Sequence, residues 1–204
     1  MKTLYLNIPD KSGRFSIQSA RDTIRPLGER VIWSHLVWWP GRILKASFCL
    51  WLAIKERLYT QDRMPIADPF LKCHLCSNHT ENHKHLFFQC TISNHLWSMV
   101  QTKCGITTPV TDWPDLISWC SKKWTHTDII SSSWKLCLAA TVYQIWHERN
   151  HRLHNGSTNT ILQIRDKIFD MVRLKLSVLR KVPDTPDNKG LAAIWNLPSS
   201  IFTM

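Results

Sequence analysis

The run Cys73-His74-Leu75-Cys76-Ser77-Asn78-His79-Thr80-Glu81-Asn82-His83-Lys84-His85-Leu86-Phe87-Phe88-Gln89-Cys90 decides the fold, because it is too polar to build a core of its own. Cys73 and Cys76, with two residues between them, form a chelating turn, and a third cysteine and a choice of histidines follow within one short loop. The pattern C-x2-C-x8-H-x4-C reads as one tetrahedral zinc site with Cys73, Cys76, His85 and Cys90 as ligands. Thiolate and neutral imidazole suit zinc, and four protein ligands leave no open position for water, so the metal is expected to be structural. His79 and His83 are also within reach of the same centre. The other cysteines, Cys49, Cys104, Cys120 and Cys137, show no such spacing; Cys49 and Cys137 fall in apolar helix patterns and read as inert core thiols.

Outward from the loop the pattern is helical. A helix over 16–27 is expected from Ala20, Ile24 and Leu27, followed by tryptophan-rich 31–39. After Pro40-Gly41, apolar periodicity predicts a buried helix over 42–58. Residues 59–71 form a connector with Pro65 and Pro69. Beyond Cys90 an amphipathic helix spans 91–103 with Gly105 as its stop, and Trp113-Pro114-Asp115 opens another through 124. Asp128 or a serine of 131–133 caps a long helix through 154, ended by Asn155-Gly156, and a last helix spans about 158–181. The fold class is mainly α: a small helical domain around a CCHC knuckle, followed by long C-terminal helices. The expected divisions are an extension over 1–12, the zinc-binding domain over 13–104, a helical region over 105–182 and a flexible tail over 183–204.

The chain has 204 residues, 44% of them apolar, enough to bury a real core. Seven cysteines, an odd count, and no visible signal peptide favour a reducing compartment, nucleus or cytoplasm. No apolar run is long enough to span a membrane. A net charge of +11 favours polyanionic partners, nucleic acid first. Most of the eleven tryptophans are expected in the core.

The loop and its surroundings resemble the zinc-binding domain found downstream of the reverse transcriptase in plant LINE-type (non-LTR) retrotransposons. Gly13-x-Phe15-Ser16-Ile17-Gln18-Ser19-Ala20 is similar to that domain's opening. Val37-Trp38, Pro40, Lys45-Ala46-Ser47-Phe48 and Trp51-Leu52-Ala53 are similar to its first helices, and Leu58-x-Thr60-x-Asp62-Arg63 to its connector. Cys73-x-Leu75-Cys76 and His85-Leu86-Phe87-Phe88-x-Cys90 resemble its knuckle, with Trp97 after it. Tyr143-x-Ile145-Trp146-x-Glu148-Arg149-Asn150 resembles a helix common beyond it. His74 stands where proline is usual, and Pro40 precedes Gly41 rather than a second proline. The resemblance covers roughly residues 13 to 181, and it implies His85 as the third ligand. Nothing resembles the paired aspartates of a polymerase, an endonuclease, or a complete ribonuclease H carboxylate set, so the chain is expected to be an accessory segment and not an enzyme.

What the resemblance implies is the gripping of RNA or single-stranded DNA with low specificity, beside a reverse transcriptase in cis or trans. The cations expected at phosphates are Lys72 and Lys84 on the loop and Arg165, Arg173, Lys175, Arg180 and Lys181 on the last helix, with Arg149 and Arg152 extending the tract. Phe87 and Phe88 are weighed as base-stacking rings against a mini-core that docks the loop, with the core favoured for at least one. His147-Glu148-Arg149-Asn150-His151 matches the zincin pattern, but no third ligand follows, and the protease reading is set aside. The alternative from a different class is a zinc-clipped protein-interaction scaffold that uses exposed tryptophans as anchors.

Overall fold

In the computed structural model the described residues are 16, 17, 24, 31–64, 72–106 and 112–203. The chain divides into two units, Met1–Val31 and Ile32–Met204. In the first, Ile17 and Ile24 are helical and exposed; the remainder of the helix expected over 16–27 lies outside the described residues.

The second unit is built around one long helix. Its elements in order are α1 (Ser34–Val37), α2 (Leu44–Ile54), a 3-10 turn (Gln61–Arg63), the metal loop with a wide turn (His85–Gln89), α3 (Thr91–Cys104), α4 (Trp113–Lys123), α5 (Ile129–Asn155), α6 (Ile161–Ser177), α7 (Pro186–Trp195) and a 3-10 turn (Ser199–Ile201). Among the described residues there is no strand, only isolated bridges pairing Lys72 with Thr80 and Val182 with Phe202. At about 1.5 Å per residue, α5 runs for about 40 Å. Its consecutive residues Leu136 to Ala140 and Val142 are all buried, a sign of a helix surrounded on every side. Helices α2, α3, α6 and α7 pack against it, and α3 also packs on α6.

Local chemistry sets the ends. Asp128 is the N-cap of α5, its carboxylate accepting the Ser131 N–H at 2.8 Å and the Ser131 hydroxyl at 3.0 Å. Gly156, with φ 66°, stops the same helix, and Gly105, with φ 62°, stops α3. Thr160 and Gln163 form a reciprocal capping box that opens α6. That helix ends at Ser177, so Arg180 and Lys181 stand beyond it rather than on the expected helix through 181, and Lys181 is left-handed at φ 60°. The helix expected over 42–58 is likewise shorter, Leu44–Ile54.

Two expected divisions differ from the structure. Residues 183–204 are not a bare tail. Thr185 accepts the Asn188 N–H and Pro186 opens α7, which buries Ala192 and Trp195, while Ile201 is fully buried. The division at 104/105 does not separate packing either, since α2 and α3 share the core of α5 and α6 within one unit.

Candidate metal centre

Two backbone devices shape the loop. In the first, the Ser77 N–H donates to the Cys73 carbonyl at 2.8 Å and the Cys73 N–H to the His79 carbonyl at 2.7 Å, folding 73–79 into a tight knuckle. The Leu75 N–H points at Cys73 Sγ, 3.4 Å away. In the second, Asn82 Oδ1 accepts the His85 N–H at 2.8 Å and starts the wide turn. That turn breaks at Phe87 (φ −98°, ψ 95°) and Phe88 (φ 77°, ψ −5°). On an unbroken helix, residues five apart sit about 140° from one another. The left-handed step at Phe88 reverses the chain, so the Cys90 N–H reaches the His85 carbonyl at 2.6 Å and both side chains face one point.

The result is a closed donor set. One ligand atom each from Cys73, Cys76, His85 and Cys90 lies within 4.8 Å of all the others. Cys73 Sγ and Cys90 Sγ are 4.0 Å apart, and Cys76 Sγ is 3.3 Å from His85 Nε2. Zinc–sulfur bonds of about 2.3 Å in a tetrahedron would set sulfurs about 3.8 Å apart, so the group fits one zinc ion. Cys73, His85 and Cys90 are buried and Cys76 half-buried, as a structural metal requires. The hydrogen bond with Cys90 and burial together push the Cys73 thiol up. The same contact holds Cys90 down, helped by the Ser93 and Ile92 amides, because Cys90 is also the N-cap of α3.

The other histidines fall outside this group. The exposed His79 ring is 5.4 Å from that of His85. His83 is buried against Phe87 at 4.9 Å and Trp113 at 5.5 Å between ring centres, and burial lowers its pKa. Phe87 and Phe88 are both buried, with Trp113 beside each and Trp97 beside Phe88. Neither ring is available to stack on a base; they dock the loop on α3 and α4.

Sequence reasoning missed the clamp beneath the centre. Arg149 and Arg152, placed in the sequence on a phosphate-contacting tract, instead turn inward. Arg149 donates from Nε to Glu81 Oε1 at 2.9 Å, and its Nη2 forms an ion pair with the same oxygen at 2.7 Å, with both side chains at most 1% exposed. Glu81 Oε1 also accepts the Gln61 N–H at 3.2 Å, and Arg149 lies over the Trp146 ring. Arg152 Nη1 donates to the Leu75 carbonyl at 2.8 Å, inside the knuckle, and its Nε to Glu148 Oε1 at 2.8 Å. Glu148 accepts two further hydrogen bonds from Asn159. Burial alone would raise its pKa, but the bonds from Arg152 and Asn159 outweigh that and hold it below its ordinary value. A carboxylate so occupied does not serve as a base beside His147 and His151, whose rings stack at 6.4 Å on the same helix. The one signal for the clamp was the Trp146-x-Glu148-Arg149-Asn150 run itself.

The expected cations are scattered. Lys72 and Lys84 are exposed on the loop. Arg165 pairs with Asp166 at 2.7 Å and Arg173 with Asp170 at 3.0 Å, while Lys175 is half-buried. Arg180 is exposed and donates to the Ser177 and Leu179 carbonyls, and Lys181 is exposed.

Fold and centre together define a helical module folded around a Cys3His zinc knuckle. Residues 15–97 match the family described as zinc-binding in reverse transcriptase, so this stretch is a zinc-binding domain of the type associated with those enzymes. Such a domain is an accessory and is not itself catalytic. The match ends at Trp97, within α3, well before Arg149. No curated protein and no solved structure matches the chain. No helix among the described residues is long and apolar enough to cross a membrane.

Proposed function

We propose that the chain is a non-catalytic, zinc-stabilised nucleic-acid-binding module derived from the polyprotein of a plant LINE-type non-LTR retrotransposon. The observation that carries this reading is the closed centre within a reverse-transcriptase-associated zinc domain. With four protein ligands the zinc has no position for a reacting water, so its part is to fix the loop. What the fixed loop presents is cationic: Lys72 and Lys84 on its surface, with no ion pair recorded for either among the described residues. Arg165, Arg173, Lys175, Arg180 and Lys181 add a second basic region to a chain of net charge +11. RNA or single-stranded DNA, held through phosphates with little sequence preference, is the partner that this chemistry fits. A reverse transcriptase, in cis or in trans, would act on the strand so held.

The test is retention of the zinc-loaded protein on RNA and on single-stranded DNA at low salt, with Arg173→Gln/Lys175→Gln/Arg180→Gln as the variant. Binding that weakens both with added salt and in the triple variant is expected. No detectable binding to either strand would overturn the reading and favour a protein-interaction scaffold.

A further inference from the structure

The outer face of α2 and the residue that ends α1 together carry large rings that the core leaves largely uncovered. Trp38, the residue that ends α1, is 46% exposed and Phe48 on α2 is 53% exposed, with Leu44 one turn before Phe48 at 70%. They belong to one cluster, since Trp51 lies 6.3 Å from Trp38 and 5.5 Å from Phe48 between ring centres. Burying an exposed Phe and Trp is favourable, so rings left in water on a folded domain point to something that covers them. The charge around them selects the partner. The Arg42 guanidinium is 5.8 Å from the Trp38 ring centre, and that of Arg57 is 5.9 Å from Trp51. Arg42 is oriented by donating from Nη1 to the Trp39 carbonyl at 2.8 Å. The nearby carboxylate Glu56 is already matched by Arg63 at 2.8 Å.

Uncovered rings interleaved with guanidinium groups, with no free carboxylate beside them among the described residues, match an unpaired nucleic-acid strand. Bases stack on the rings, and phosphates meet the arginines. A duplex, whose bases are already stacked on one another, offers only its phosphates. We infer that Trp38, Phe48 and Trp51, with Arg42 and Arg57, form a stacking platform for unpaired bases of a single strand. The inference rests on the proposed nucleic-acid function and adds to it a discrimination of single strand from duplex that the scattered cations cannot supply. It also moves the aromatic contribution from the buried Phe87 and Phe88 to a different face of the domain.

The experiment uses the full zinc-loaded chain and a fluorescein-labelled oligouridylate of about twelve nucleotides, beside an RNA duplex of the same length. The variant is Trp38→Leu/Phe48→Leu, which keeps apolar bulk and helix propensity; zinc stoichiometry and far-UV circular dichroism confirm its fold. Loss of a stacked base should weaken single-strand binding by about tenfold or more, while duplex binding changes by less than about twofold. Arg173→Gln/Lys175→Gln/Arg180→Gln should weaken both ligands alike. Wild-type binding of the oligouridylate with an unchanged Trp38→Leu/Phe48→Leu variant would overturn the platform and leave the nucleic-acid function standing. Absence of wild-type binding would remove that function and the platform with it. A wild-type dimer in sedimentation that the double variant abolishes would assign the rings to a contact between copies of this chain, and so overturn the inference.

Discussion

Cys90 holds two structural posts at once, metal ligand and N-cap of α3, and the hydrogen bond with Cys73, helped by the Ser93 and Ile92 amides, holds its thiol pKa down. His85 is placed opposite by the left-handed Phe88, a conformation that costs a non-glycine residue about 1 kcal/mol or more and persists only where packing on Trp97 and Trp113 enforces it. Elemental analysis should therefore find one zinc per chain, lost in Cys76→Ser and in His85→Ala but kept in His79→Ala. Retention in His85→Ala would move the third ligand to another histidine. A second residue-scale prediction concerns the Glu81–Arg149 pair. Removing one partner leaves the other charge buried, which costs about 3–5 kcal/mol. Glu81→Gln and Arg149→Met should each lower the unfolding free energy read from urea titration by that order, and the double variant by clearly less than the sum. Simple additivity would mean that the two side chains do not act as a pair. The ligands were legible in sequence because their spacing is local. Arg149 was not, because a cation in a helical pattern looks solvated until its partner, 68 positions away, is brought to it.

Among the elements, those with clear end signals were the legible ones. Asp128, Gly156, Gly105 and Pro114 marked the ends of α3, α4 and α5 by their own chemistry. Helix α7 was missed because Asp184, Pro186, Asp187 and Asn188 have the composition of a linker. The same residues are what a threonine-capped, proline-opened helix requires, and burial of Trp195 decides between the two. Loss of the α5 cap in Asp128→Ala should cost about 1 kcal/mol, read from thermal or urea unfolding. The junction of α5 and α6 carries a pH dependence. The folded pKa of Glu148 lies below its ordinary value of 4.5, so its contribution is complete above that value and is lost as pH falls through the depressed one. Moving from about pH 6 to about pH 3.5 should lower stability more in the wild type than in Glu148→Gln. Equal losses would place the acid sensitivity elsewhere.

At the scale of the molecule, α5 ties the knuckle to the helices, because Arg152 grips the Leu75 carbonyl and Arg149 the Glu81 carboxylate, and the two are expected to unfold together. A fragment ending at residue 104 keeps all four ligands and loses both grips. It should hold zinc more weakly than the full chain and lack a cooperative unfolding transition; a fragment with native affinity and a sharp transition would contradict this. If the chain holds a single strand through its cations, log affinity should fall linearly with log salt, and removing three contacting cations should flatten that slope by about two. An unchanged slope in Arg173→Gln/Lys175→Gln/Arg180→Gln would take those residues out of phosphate contact. The sequence pointed to a basic, helical, zinc-tied protein, but charge count alone could not separate the cations that face solvent from the two arginines that hold the interior.

The clamp also bears on inheritance. The recurring block of residues 15–97 contains the acid, and the base lies outside it on α5. A copy of that block transplanted without its helix would carry a buried negative charge with nothing to answer it. The two positions are thus expected to vary together: a lineage that loses the carboxylate at 81 should lose the guanidinium at 149 as well, and recombination breakpoints should avoid the interval between them.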